Sequence, residues 1–468
     1  MKKLILIIFS VLVSFFSFGK NKKFNLSPKQ YQIKVIARNY SSNDLQLAYP
    51  LNNKHYLVEN SSTGKDSFVK EVDGAFTLNS ETPFQPGIYS LVFKPNNNTF
   101  EILITENNQN IEISLDYNNI IETISFKDDS NESTLFLDYQ KFIFSKKEEQ
   151  KEAYNNDDSS IKEELNNQVV AYQKNIIKNH PNSFLAVIIK ANLPLIEPEF
   201  KGLEAEIQKQ KWEYYKNHYF DNINLVDSRL LRTPFFYNKV EDYLDKLTVQ
   251  HPDSIITAVD LLLNKMKPSK ENFKNFTVIF LNKYAKSKIV GMDAVYVHIV
   301  NNYYATGDAD WIEQEQLNKI LENANTLKPI LIGKVAPNLS LEATNGIKFN
   351  LHELKSKYTV LYFLKSDCLN CKKSNNLDLI SDYEKLKNLG AELIAVCFGD
   401  VEGAKKCTDA AKASKIKNWL HVKLAIDQET ALKNYNLTFY PSVFVLDNNK
   451  KIISKRIGLD QLTEVIKE

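Results

Sequence analysis

The chain has 468 residues, 43% of them hydrophobic, with 59 basic against 57 acidic side chains. That is enough apolar content for packed cores, and enough length for about three domains of roughly 150 residues each; a disordered chain is excluded. Lys2 and Lys3 account for the whole positive excess, so the remainder is formally neutral and nothing draws it electrostatically to nucleic acid or to an anionic membrane surface.

Met1-Lys2-Lys3 is followed by an apolar run from Leu4 to Phe18 and then by Ser17-Phe18-Gly19 before Lys20, the three parts of a secretory signal peptide. About fifteen apolar residues span ~22 Å as a helix, short of the ~30 Å hydrocarbon layer, so residues 1–19 read as a signal cleaved after Gly19. No cysteine stands at that junction for lipid attachment. The expected location is the periplasm or cell envelope, where disulfides persist.

Residues 20–127 alternate in the manner of strands. Gln32-Ile-Lys-Val-Ile-Ala37, Gly87-Ile-Tyr-Ser-Leu-Val-Phe93, Thr99-Phe-Glu-Ile-Leu-Ile104 and Asn110-Ile-Glu-Ile-Ser-Leu115 have strand period and composition. Asp73-Gly74 and Pro95-Asn-Asn-Asn98 read as connections. An antiparallel β-sandwich or barrel, serving as a docking or structural module, is expected here.

From 128 to 330 the period becomes helical, with broad apolar faces over Phe184–Ile189, Ile255–Leu263 and Ala294–Tyr304. His180-Pro-Asn-Ser183 and His251-Pro-Asp-Ser254 each precede such a face, offering Asn182 or Ser183 and Asp253 or Ser254 as N-caps. Both histidines read as turn residues, and the aromatics around Trp212, Tyr219 and Tyr303 as core and rim. No catalytic constellation is visible in this all-α region.

The last segment, 331–468, interleaves strands and helices: a hairpin at Leu339–Leu341 and Ile347–Phe349, strand Tyr358–Leu364, helix Asn370–Leu389, strand Glu392–Phe398, helices Val401–Ser414 and Gln428–Tyr435, strands Ser442–Leu446 and Lys451–Ile457, and a closing helix Leu459–Lys467. Such an order gives an α/β sheet covered on both faces, with Asn448-Asn449 placed to turn the last hairpin. At the junction of the first central strand and its helix lies Cys368-Leu369-Asn370-Cys371. Two thiols three apart at a helix start can close a small disulfide ring, and the helix's positive end favours the thiolate. Half a zinc site looks the same, but the chain has four cysteines in all. The other two, Cys397 and Cys407, have no close pair or histidine knuckle to complete a cage, so no metal is expected. A purely structural disulfide is the remaining alternative.

These residues resemble the thioredoxin superfamily, and within it the TlpA/ResA-like envelope thiol-disulfide oxidoreductases. The likeness rests on Ala336-Pro337, the strand entering Cys368-X-X-Cys371, Phe439-Tyr440-Pro441-Ser442 and the closing hairpin with its helix. The two preceding regions look like the β-domain and helical domain found ahead of such domains in some envelope proteins. The resemblance implies that Cys368 is the nucleophile, Cys371 the resolving thiol and Pro441 a cis-proline facing them. The main chain beside Pro441, at Tyr440, then contacts an extended substrate segment.

Several departures from the family pattern stand out. Asp367 precedes the first cysteine where many relatives have Trp, and Asn370 replaces Pro within the pair. Tyr362 occupies the position of a buried Asp in thioredoxins, and Ser374 that of a Glu in ResA-like proteins. Asp367 raises the thiol's pKa while Lys372 and Lys373 lower it. Cys397 reads as a buried hydrophobe, with a bridge to Cys407 open, and His421 as a residue near the surface. The expected function is an exported oxidoreductase that reduces or reshuffles disulfides in envelope proteins, without a cofactor and fed by a membrane or envelope electron donor. A peroxiredoxin would need Thr or Ser where Lys365 stands and Pro where Leu361 stands. The alternative from another class is an envelope binding or scaffold protein that keeps the thioredoxin-like module with little or no redox activity.

Overall fold

The computed structural model describes residues 31–127, 132–155, 159–374, 383–414, 416–424 and 428–467. The expected signal segment, 1–19, lies outside the described residues. The chain falls into two compact units, one of residues 1–50 and 55–169, the other of 51–54 and 170–468.

The first unit is built from strands β1 (Tyr31–Arg38), β2 (Leu45–Leu51), β3 (Lys54–Leu57), β4 (Val69–Lys70), β5 (Phe76–Ser80), β6 (Gly87–Phe93), β7 (Asn98–Ile104) and β8 (Asn110–Asp116). Helix α1 (Ile120–Thr123), strand β9 (Ser125–Phe126) and helix α2 (Glu132–Asn155) follow. Two sheets, β4-β5-β1-β8-β9 and β3-β2-β6-β7, form the sandwich. Period-2 alternation turns Ile33 and Val35 of β1 and Ile111, Ile113 and Leu115 of β8 into one apolar cluster with Leu45, Leu47, Leu91 and Phe93 from the other sheet. One pairing departs from the antiparallel expectation: β1 and β8 run parallel, Gln32 opposite Asn110 through Arg38 opposite Asp116. On α2, Ser133 Oγ donates to the carbonyl of Leu103 at 2.6 Å and accepts from Asn108 Nδ2 at 2.7 Å, and Leu137 joins the sandwich core.

The helical segment comprises α3 (Ser159–Asn179), α4 (Phe184–Asn192), α5 (Glu204–His218), α6 (Phe236–Asp245), α7 (Pro252–Met266), α8 (Lys270–Ala285), α9 (Asp293–Ile299) and α10 (Gln314–Leu327). Ser183 caps α4, its hydroxyl accepting from the amide of Ala186 at 3.1 Å. The second motif differs from expectation: the cap of α7 is His251 rather than Asp253 or Ser254, because Pro252 takes the first helical position, where its missing N–H costs nothing.

The C-terminal segment contributes β10 (Ser340–Ala343), β11 (Lys348–Asn350), β12 (Tyr358–Lys365), α11 (Leu369–Ser374), α12 (Tyr383–Asn388), β13 (Ala391–Phe398), α13 (Val401–Lys412), β14 (Leu420–Leu424), α14 (Gln428–Asn434), β15 (Ser442–Leu446), β16 (Ile452–Lys455) and α15 (Leu462–Val465). Its sheet has the order β11-β10-β14-β13-β12-β15-β16. β12 is apolar along nearly its whole length because both faces are covered: Leu361 and Phe363 join one cluster, Val360, Tyr362 and Leu364 the other. The predicted helix over Asn370–Leu389 is realised as α11 and α12, and residues 375–382 between them lie outside the described residues. Strand β14 was not expected. Leu420-His-Val-Lys-Leu424 pairs parallel with β13 and antiparallel with β10, and it buries His421, which is 5% exposed. In the last hairpin the turn is organised by Asp447, whose Oδ1 accepts from the amides of Asn449 and Lys451 at 2.8 Å, and Lys450 rather than an asparagine takes the positive φ.

Lys455 of β16 is buried, and its ammonium donates to Asp293 at the start of α9 and to the carbonyl of Ile330. This buried ion pair joins the helical segment to the C-terminal sheet inside the second unit.

Candidate redox site

The site is assembled at the carboxyl end of β12. The chain leaves the strand at Lys365, bends through Ser366 and Asp367, and starts α11, so Cys368 and Cys371 fall within one helical turn. They are disulfide-bonded, with Cα atoms 5.3 Å apart. Cys368 is half-buried, whereas Cys371 is 3% exposed and packs into the cluster under α11, α13 and α15. The amide of Cys371 donates to Cys368 Sγ at 2.9 Å. A donor at that place favours a thiolate on Cys368 once the bond is open.

Tyr440 and Pro441 enter from β15, which runs antiparallel to β12 and so begins where β12 ends. The Tyr440-Pro441 peptide is cis. Tyr440 packs against the core of both faces and lies 5.9 Å from Phe398, ring centroid to centroid. Burial, with the charge of Asp367 in reach, pushes its phenol up to about 12, so it stays protonated at neutral pH. Asp367, immediately before Cys368, is thus within electrostatic reach of Tyr440. Its carboxylate is largely exposed and 3.7 Å from Lys365 Nζ, where solvent weakens both effects. Leu369, next to Cys368, and Phe439, next to Tyr440, are apolar side chains 73% and 46% exposed, and the Arg456 guanidinium lies over the Phe439 ring at 5.4 Å.

Tyr362 is fully buried and meets Trp419 edge-on at 5.6 Å. His421 does not reach the surface expected for it. Its Nε2 is 3.3 Å from the carbonyl of Lys417, and burial lowers its pKa.

The second pair of cysteines is where sequence reading fell short. Cys397 is buried as anticipated, but it is bonded to Cys407 of α13, with Cα atoms 5.8 Å apart. The local reason is the corner between β13 and α13. Asp400 caps α13 by accepting from the amide of Gly403 at 2.7 Å. Gly399 adopts φ +145°, where a Cβ would come within about 3 Å of the Gly403 and Ala404 backbone. That tight return lays α13 directly over β13.

A seven-stranded mixed sheet with helices on both faces and a Cys-X-X-Cys turn facing a cis-proline defines a thioredoxin-like domain. Residues 332–455 match the AhpC/TSA family, and residues 190–326 match a domain of unknown function, DUF5106. A thiol-disulfide oxidoreductase, ResA, of Bacillus cereus is 32% identical over 133 residues, covering 27% of this chain and 70% of that protein. The thioredoxin-like protein YneN of Bacillus subtilis is 27% identical over 126 residues, covering 27% of this chain and 71% of its own. The chain belongs to the ResA-like thiol-disulfide oxidoreductases of the thioredoxin superfamily. Among solved structures, a thioredoxin-like protein of Bacteroides caccae matches 59% of this chain and 97% of its own, with a TM-score of 0.45 and 17% identity.

Proposed function

We propose that the chain is an exported thiol-disulfide oxidoreductase that uses the Cys368/Cys371 dithiol to reduce or reshuffle disulfides in proteins of the periplasm or cell envelope, drawing electrons from a membrane or envelope donor. The observation that carries this reading is the asymmetry of the pair: one sulfur half-exposed with an amide donor on it, the other sealed in the core.

Cys368 thiolate attacks a substrate disulfide, one substrate sulfur leaves as thiolate, and a mixed disulfide forms. Cys371 then attacks Cys368 Sγ, releasing the second substrate sulfur and closing the Cys368–Cys371 bond. Because Cys368 and Cys371 lie on one turn of chain, the resolving attack is intramolecular. Leu369 and Phe439 give a substrate segment apolar contact beside the reacting sulfur, and the main chain at Tyr440 gives it a partner for extended pairing.

The test is turbidimetric insulin reduction together with trapping by the Cys371→Ser variant. Wild type accelerates insulin reduction by dithiothreitol, Cys368→Ser does not, and Cys371→Ser accumulates envelope proteins as mixed disulfides that vanish in the double variant. Partners retained by the double variant would instead identify a scaffold protein.

A further inference from the structure

We infer that the buried Cys397–Cys407 bond is a second redox couple, which receives electrons only through Cys371. The inference rests on the dithiol reading above. Both sulfurs are cut off from solvent, Cys397 being 0% and Cys407 4% exposed, so a soluble thiol has no line of attack on their bond. Cys371, itself 3% exposed, belongs to the same apolar cluster, together with Leu364, Tyr362 and Trp419.

The strands fix the neighbourhood. Leu364 of β12 is the register partner of Cys397 on β13 and stands four residues before Cys368, and both residues lie on the face covered by α11 and α13. The sheet therefore sets the bridge one strand over from the turn that carries the dithiol, at the same end and on the same side. The interior thiol of that turn points into the cluster that holds the bridge. Cys371 has a second disulfide to attack besides the one on Cys368.

The step conserves atoms and electrons. Starting from the reduced Cys368/Cys371 pair, Cys371 loses its proton and attacks one sulfur of the Cys397–Cys407 bond; a Cys371 mixed disulfide forms and the other sulfur leaves as thiolate. Cys368 thiolate then attacks Cys371 Sγ, restores the Cys368–Cys371 bond and expels the second sulfur. Two electrons have moved inward, and the two thiol protons of the outer pair end on Cys397 and Cys407. The outer pair, reoxidised, is reduced again by the donor, so the fully reduced domain holds two electron pairs. An apolar setting disfavours the thiolates involved, which makes this transfer slower than exchange at Cys368.

Thiol counting on the full-length protein tests it. The oxidised chain is exposed to dithiothreitol, quenched in acid at intervals and alkylated, and the peptides carrying each cysteine are weighed. In wild type, label appears on Cys368 and Cys371 first and on Cys397 and Cys407 afterwards. In Cys371→Ser, and in Cys368→Ser with Cys371→Ser, labelling of the inner pair slows at least tenfold. Equal inner rates with and without Cys371 would overturn the inference. So would a wild-type inner pair that stays unlabelled while the outer pair is fully reduced, since the bridge would then be structural. Two further variants keep the test open if loss of Cys371 disturbs folding. Cys368→Ser with Cys397→Ser leaves Cys371 beside Cys407, and Cys368→Ser with Cys407→Ser leaves it beside Cys397. A Cys371 cross-link in at least one, after mild oxidation, is expected, and its absence in both refutes the contact. Because dithiothreitol is the only reductant, failure of the chain to reduce insulin would count against the proposed function and leave this result standing.

Discussion

Replacing Lys455 by Met removes the cation from a site largely sealed from solvent. Lys455 is 2% exposed and Asp293 15% exposed at the side chain, so each partner is taken largely out of solvent. The ammonium holds two acceptors, the Asp293 carboxylate and the carbonyl of Ile330 at 2.5 Å. Among the described residues Asp293 Oδ1 is buried with no hydrogen-bond partner, so there the carboxylate leans on the Lys455 ammonium. Removing one member of a buried pair while leaving the other charged costs about 3–5 kcal/mol. Replacing both by apolar residues of similar volume removes the stranded charge, and the Lys455→Met, Asp293→Leu chain regains most of that loss, leaving about 1 kcal/mol for the Ile330 carbonyl. The double variant is therefore about 2–4 kcal/mol more stable than Lys455→Met alone, and the double-mutant cycle is strongly non-additive. Urea titrations followed by far-UV circular dichroism and by tryptophan fluorescence read it, with Trp419 on the C-terminal segment and Trp311 on the helical one. A single-variant cost below about 1 kcal/mol, or additive single and double losses, would refute the claim that the charge is buried and paired.

Three further outcomes follow from particular residues. Opening the Cys397–Cys407 bond with paired Ser substitutions frees a loop of sequence separation 10, worth about 2.7 kcal/mol of unfolded-state entropy, measurable as a lower urea midpoint; no change would show that the bond leaves the denatured ensemble unaltered. His421 is neutral in the fold because burial lowers its pKa, whereas the unfolded chain takes up a proton near pH 6.5. The unfolded state thus binds more protons as pH falls through that value, and stability drops with a limiting slope of about 1.4 kcal/mol per pH unit; His421→Leu flattens this part of the profile, and an unchanged slope contradicts the assignment. Ser183→Ala removes the cap of α4 and costs about 1 kcal/mol, readable by thermal unfolding, while Ser183→Asn restores most of it.

The parts of the fold legible in the sequence are those with a local cause. β12 and β13 are largely apolar runs, α4 carries its own cap, and Cys368 and Cys371 share one turn. What escaped depends on partners far along the chain. β14 carries a histidine and a lysine in five residues, and only its place between β13 and β10 makes it a strand. The parallel pairing of β1 with β8 joins segments some seventy-eight residues apart, a register no local pattern encodes. β5 is short, and Pro50 in β2 and Asn79 in β5, each one residue from the strand's end, weaken the strand signal. For Cys397 and Cys407, ten residues apart, bonding turns on whether the corner at Gly399 brings the helix back over the strand, and a single glycine does not announce that.

That corner has one more fastening. The side chain of Gln428, the first residue of α14, donates to the carbonyl of Gly399 at 2.5 Å and accepts from its amide at 3.2 Å. α14 packs on one layer of the sheet and α13 on the other, so a single carboxamide rivets the two layers together beside the inner bridge. A chimera that exchanges α14 for that of another thioredoxin-like domain without glutamine at this place gives up both bonds to Gly399, which makes residue 428 the seam along which such a graft is cut.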